Sequence, residues 1–481
     1  MRTFYWYLTA YARKHGLLVI ASLAIGLAFF WFFVPTISNN LEIRKRHYVG
    51  IIGEYTLNSL PEIIKQQLSV GLTQIEDDGS ASPALAERWT VEQEGATYRF
   101  LLKKDLTWQD GLPLSPNDVS YDLPDVETII TPNDIVFKLP SPFAPFPTTV
   151  AEPIFRKAEK KYLLFFTKPT LIGIGEYRIV DYKRKGTRLT EMIIDGNNQR
   201  YIYRFYLTED DAVTAFKRGE VNIIPDLSRK HDIFDWPTAE TSEFLNKKRY
   251  LAVFFNTVDP QLTKSIRLAL SYAVDKKTGD ERAIGPISPL SWAYLSGGKT
   301  YDKDVERGSE RLRDELPAEL LKFELTTTTL FEAEAESIKE QLEAFGQQAA
   351  SDCQQDKAVT EKAKCDNLKI TISVRITNFP DTSNFQLLLI GQNIPNDPDQ
   401  YDLWHSGQSA NFTKYKNTRI DNLLEKGRQT YDQKERIAIY QEFQQFFLDD
   451  PPAIFLRYLH SYTLKRKTAD DASLNFMTSQ Q

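Results

Sequence analysis

The chain is 481 residues long, 42% hydrophobic and 26% charged, which leaves room for two or three domains with their own cores and excludes a largely disordered chain. Its 59 Lys and Arg against 65 Asp and Glu give a net charge of -6 without a basic stripe, so nucleic acid is excluded as a partner.

The first forty residues differ from the rest. Gly16 to Pro35 reads GLLVIASLAIGLAFFWFFVP, twenty residues without a charge, and at about 1.5 Å per residue this spans about 30 Å of hydrocarbon. The bulky FFVPTISNN that follows offers no small-x-small cleavage site, so an uncleaved single-pass anchor over 16–37 is expected. Residues 1–15 precede it and 38–47 form a charged tether. Arg2, Arg13 and Lys14 balance Arg44, Lys45 and Arg46, but Arg13 and Lys14 lie nearer the apolar run. That favours a cytoplasmic N-terminus and a body on the extracytoplasmic side of the cell membrane.

The body mixes strands and helices. Tyr98, Phe100 and Leu102 alternate along a strand. In TWQDGLPLSPNDVSYDL, Asp110-Gly111 is a turn signal. Ser115 is then the cap of a helix opened by Pro116, with Asp118 reaching back to the cap amide. Further strands are expected around Ile129–Leu139 and Ile202–Leu207, and a helix over Asp210–Glu220. After the strand RYLAVFFNT comes a helix whose Ile266, Ala269, Leu270, Ala273 and Val274 share one face. A strand-helix-strand unit follows, with Ala335, Ile338, Leu342 and Phe345 on the helix's buried side, Gly346 as its stop and Leu368–Ile376 as the closing strand. Helical stretches from Asp421 end at Pro451-Pro452, ahead of a last strand. Cys353 and Cys365 form a disulfide in an oxidising compartment, or two free thiols if the body is cytosolic.

No catalytic spacing is found. The five His are scattered, and HExxH, CxxC and GxSxG are missing. Gly297-Gly298-Lys299-Thr300 lacks the earlier Gly of a phosphate loop, and adjacent acids such as Asp77-Asp78 read as solvated faces. Neither an enzyme nor a cofactor or metal site is expected.

Three ordered blocks carry a resemblance. GLTQIEDDGSASPALAERWTVEQEGATYRFLLKKDLTWQDGLPLSPNDVSYDL, then YLAVFFNT with IRLALSYAVDKK, and last the run from Asp397 to Tyr458 together resemble the extracellular solute-binding proteins, family 5, the dipeptide- and oligopeptide-binding receptors of ABC importers. The resemblance implies an α/β, two-lobed periplasmic-binding-protein-like (type II) fold with hinge strands and an interlobe cleft. Lobe one would cover 48–247, completed by 451–481, and lobe two 248–450; the short Asp118–Pro140 segment implies a reduced extra domain. It further implies a membrane-anchored receptor that closes on a peptide or other small ligand and presents it to ABC permease subunits. The alternative is a tethered structural or interaction protein on the same fold that has lost transport.

On this reading Asn393, Asp397, Trp404 and Asn411 lie near the cleft, with Trp404 as an apolar wall, and Trp292 is an outside candidate. One departure bears on the ligand. Members that bind free peptide N-termini place an Asp where this chain has Ile394 and a Trp where it has Gly391. A buried ammonium without a counter-ion costs several kcal/mol, so a free amino end is a poor ligand group here unless Asp397 or Asp399 serves.

Overall fold

The computed structural model describes residues 45–467 apart from 163–165 and 358, with scattered positions before residue 45. Most of the anchor expected over 16–37 lies outside the described residues, and no helix among the described residues is long and apolar enough to cross a membrane. The first strand, Lys45–Ile52, starts inside the stretch expected as tether. His47 accounts for this: it is buried and its ring stacks on Tyr201 at 4.9 Å.

Ten strands make one mixed sheet, and its centre is built from chain segments far apart in sequence. Lys45–Ile52 runs parallel to Gln199–Tyr206 and touches Ile223–Leu227. The late strand Ala453–Arg466 pairs with Ile223–Leu227 on one side and with the long strand Ala239–Phe255 on the other. Beyond it, Leu387–Asn393 pairs with 249–255, and Leu321–Thr327 and Ile370–Ile376 complete the far edge in parallel.

Two strands therefore pass through both lobes. Along them, 239–246 pairs with 459–466 and 250–254 with 453–458, and the register shifts between Asn246 and Tyr250. An interrupted ladder bends more easily than a continuous one. Separate cores lie on either side. Lobe one buries Val49, Ile64, Met192 and Tyr203, with a neighbouring cluster around Phe100, Phe137 and Phe146. Lobe two packs Leu251, Leu270, Leu325 and Leu342 on one sheet face and Phe254, Trp404, Tyr440 and Phe447 on the other.

Local signals explain most elements. Tyr98, Phe100 and Leu102 are buried along Thr97–Leu102, in a separate sheet of four strands. The Ser115–Asp118 capping box forms, with the Ser115 amide donating to Asp118 Oδ2 at 2.8 Å, but it opens only a single 3-10 turn. Lys264–Ala273 buries its expected face. Gly346 does not stop its helix, which runs Glu332–Gln355. A Cβ at Gly346 would lie 2.5 Å from the Ile370 amide nitrogen, so this glycine lets the helix press against the closing strand. A disulfide joins Cys353, on that helix, to Cys365. In the chain-entropy account, closing so short a loop is worth about 3 kcal/mol.

Lys276, just beyond the helix Lys264–Ala273, donates to the carbonyls of Ser271 and Val274. Burial pulls its pKa down to about 7, with Arg282 adding to the effect. Between pH 7 and the ordinary 10.5, the unfolded chain therefore holds a proton here that the folded chain does not. Stability should rise with pH across that window, and below it the burial penalty is complete. Urea midpoints are expected to climb from pH 7 to 10 in the parent and to climb less in Lys276→Met; an unchanged slope in the variant would refute this.

Candidate functional site

The segment that follows Leu387–Asn393 is turned back toward lobe one by Pro395 and Pro398, and it forms one wall of a cavity of about 480 Å³. Ile75, Phe143, Pro145 and Thr148 of lobe one make the opposite wall. Phe143 and Pro145 belong to PSPFAPFP, whose prolines restrict the backbone and whose Phe146 anchors the run in the core beneath. The lobes meet at the cavity rim. Ala144 N–H donates to Arg428 O at 2.7 Å and Trp292 N–H to Asp78 O at 3.2 Å. Gly79, at φ +84, lies so close to Asn396 O that a Cβ would sit 2.1 Å from it.

The cavity's carboxylates are all engaged. Asp397 is buried and accepts from Arg436 Nη2 at 2.7 Å and Nη1 at 3.1 Å. The Asp399 amide also donates to Asp397 Oδ1, at 2.9 Å. Arg428 donates to Asp399 at 2.9 Å and Asp402 at 3.1 Å, and its guanidinium lies 4.0 Å from the Tyr401 ring centre. Burial pushes the Asp399 carboxyl above the ordinary aspartate range, with Arg428 opposing. Neither acid is left to meet a ligand ammonium. Ile394 is buried in the lobe-two core and offers no substitute.

Two candidates from the sequence, Asn393 and Asp397, line the cavity; three do not. Trp404 is fully buried beneath the wall, 4.8 Å from Phe447 and 6.2 Å from Phe254 between ring centres, because its short helix Tyr401–Trp404 turns that side chain inward. Asn411 is buried and fully used inside its loop. Its Nδ2 donates to the His405 and Tyr415 carbonyls, and its Oδ1 accepts from Thr413 Oγ1 and the Tyr415 amide. Trp292 lies 5.1 Å from the Arg436 guanidinium, behind the Asp397 pair.

Sequence reasoning missed Arg428, Arg436 and the lobe-one wall. Only the proline-rich PSPFAPFP could have marked that wall in advance. A second cavity, of about 420 Å³, opens on lobe one along Ile52, Tyr55, Pro61 and Asp226. Between the two stands Arg249, at the register shift, whose Nε donates to Asn393 Oδ1 at 2.8 Å and whose Nη2 is 3.9 Å from Asp226 Oδ2. Among the described residues no three His, Cys, Asp or Glu are grouped to hold a metal ion.

Comparison with known proteins agrees with this architecture. The profile of the bacterial extracellular solute-binding proteins, family 5 Middle, matches residues 80–134 and 120–396. The chain is 23% identical to the oligopeptide-binding protein AppA of Bacillus subtilis (strain 168), over 86% of each chain. It is 22% identical to the dipeptide-binding protein of Escherichia coli (strain K12), over 80% of this chain and 82% of that one. Among solved structures, the ABC transporter substrate-binding protein CtaP from Listeria monocytogenes superposes with a TM-score of 0.68 at 21% identity, covering 88% of this chain and 94% of that one. NikZ from Campylobacter jejuni, in complex with Ni(L-His), gives 0.66 at 21% identity with the same coverages. On the profile match, which extends over well over half its length, the chain belongs to the extracellular solute-binding proteins, family 5.

Proposed function

We propose that this protein is the extracytoplasmic receptor of an ABC importer, binding a peptide or peptide-like ligand by closure of its lobes and handing it to permease subunits. Residues 16–37 would hold it at the membrane as a single-pass anchor. The observation that carries the reading is the cavity walled by Phe143 and Pro145 from one lobe and by 392–403 from the other, beside strands whose register shifts where the lobes join. A ligand touching both walls favours the closed arrangement by the difference of its affinities for the two. The relatives named for oligopeptide and dipeptide binding support a peptide as the ligand class.

The test is native mass spectrometry of the full chain, purified gently from its host in detergent, followed by denaturation and identification of what is released. A mass excess matching peptides or peptide-like compounds is expected. A bare chain mass, together with no thermal shift on adding peptide pools, would overturn the reading.

A further inference from the structure

Charge pairing at the seam between the two cavities is incomplete. Asp226 Oδ1 accepts from the neutral Ser461 Oγ at 2.6 Å, whereas Asp397 has Arg436 at 2.7 Å and Asp399 and Asp402 have Arg428 at 2.9 and 3.1 Å as close partners of opposite charge. Two cations have none that close. Lys248 Nζ donates only to the neutral Asn396 Oδ1, at 3.2 Å. Arg249 spends Nε on Asn393, and its terminal nitrogens make no hydrogen bond among the described residues; Nη2 comes no closer to a carboxylate than the 3.9 Å to Asp226.

Asn393 and Asn396 both line the larger cavity, so each cation is steered to its edge by an amide side chain that cannot neutralise it. Asp226, which lines the smaller cavity, has its Oδ1 engaged by Ser461 and its Oδ2 3.9 Å from Arg249 Nη2. Arg249 is about one-third exposed at the side chain. It thus offers a planar fork of N–H donors, matched to a carboxylate, where both lobes can close on what it holds.

We propose that the cleft takes a ligand through a free carboxylate, received by the Arg249 guanidinium with Lys248 beside it, and not through an amino group. This rests on the receptor reading above and narrows its ligand class. The carboxylate would take the place left open by the long Arg249–Asp226 contact, while the three carboxylates that line the larger cavity, Asp397, Asp399 and the more exposed Asp402, already meet Arg436 and Arg428.

Three pools of mixed-sequence tripeptides and tetrapeptides test this on the detergent-solubilised full chain by calorimetry and thermal shift: free acids, C-terminal amides, and N-acetylated free acids. Free acids and N-acetylated acids should bind alike, and amides at least 10-fold more weakly. Arg249→Met should erase the difference between acids and amides, and Arg249→Lys should restore part of it. Arg249→Gln, which keeps N–H donors but removes the charge, gives a second reading if Arg249→Met does not fold: acids should lose most of their advantage over amides, and an unchanged advantage would overturn the proposal.

Amides that bind as well as acids would overturn the proposal and leave peptide binding standing. If no peptide pool binds, the peptide reading fails, and small mono- and dicarboxylates decide the rest. A thermal shift that disappears in Arg249→Met would sustain the carboxylate site, and no shift would overturn it.

Discussion

Arg436→Met is expected to destabilise the protein by about 3–5 kcal/mol, because it strands the Asp397 carboxylate in a buried site. The guanidinium does more than neutralise that charge. Its Nε donates to Gly427 O at 2.9 Å, and its face packs on Trp292 and Tyr440, so it ties helix Gln433–Asp449 to helix Thr418–Gln429 and to the cavity wall at once. Desolvation works against the ion, yet the Asp397 partnership holds the arginine's pKa above its ordinary value. Adding Asp397→Asn should recover a good part of the loss, since the amide keeps an oxygen for the Asp399 N–H and removes the lone charge. Urea unfolding of parent, single and double variants measures this. A single variant within about 1 kcal/mol of the parent would show that water or a shifted loop reaches Asp397, contrary to its burial.

Trp404→Ala should also cost about 3–5 kcal/mol, by the lost burial and the cavity left behind. The ring sits among Phe254, Phe447 and the rest of the lobe-two core, with no surface on the cleft. Ligand affinity of the protein that remains folded should therefore change by less than about 3-fold, apart from wall displacement. Stability curves and calorimetric affinities on the same preparation separate the two effects. Unchanged stability with lost binding would restore Trp404 as the apolar wall first expected from the sequence.

These two residues also show where sequence reading succeeds and where it stops. Alternation gave the strand Thr97–Leu102, and the 3.6-residue period gave the buried face of Lys264–Ala273, because both patterns are local consequences of backbone geometry. The Ser115–Asp118 box is equally local. Asn393 and Asp397 were reached through the family resemblance, whose spacing places their loop at the cavity. Trp404 and Asn411 share that loop region, but no sequence states which way a side chain faces when a four-residue helix intervenes. Arg436 lies 39 residues from Asp397, and nothing in either neighbourhood announces the pair. Gly346 was read as a helix stop because the usual reason for a glycine there is conformational, whereas its use is the room it leaves for Ile370.

The placement of Ala453–Arg466 between Ile223–Leu227 and Ala239–Phe255 bears on how the protein reaches its compartment. Until that segment emerges from the ribosome, the central sheet can exist only as two halves with open, facing edges, and both lobe-two cores lack the residues that Ala453–Tyr458 supplies to them. Nearly the whole polypeptide must be made before the two halves of the sheet can join and lobe two can close its core. A chain that stays unfolded during synthesis can be threaded through a narrow translocation channel, and its two halves are then joined on the far side by the last strand to arrive. The same delay leaves two unpaired edges exposed in transit, so export of this protein should depend on a holding chaperone until residues beyond 453 have crossed.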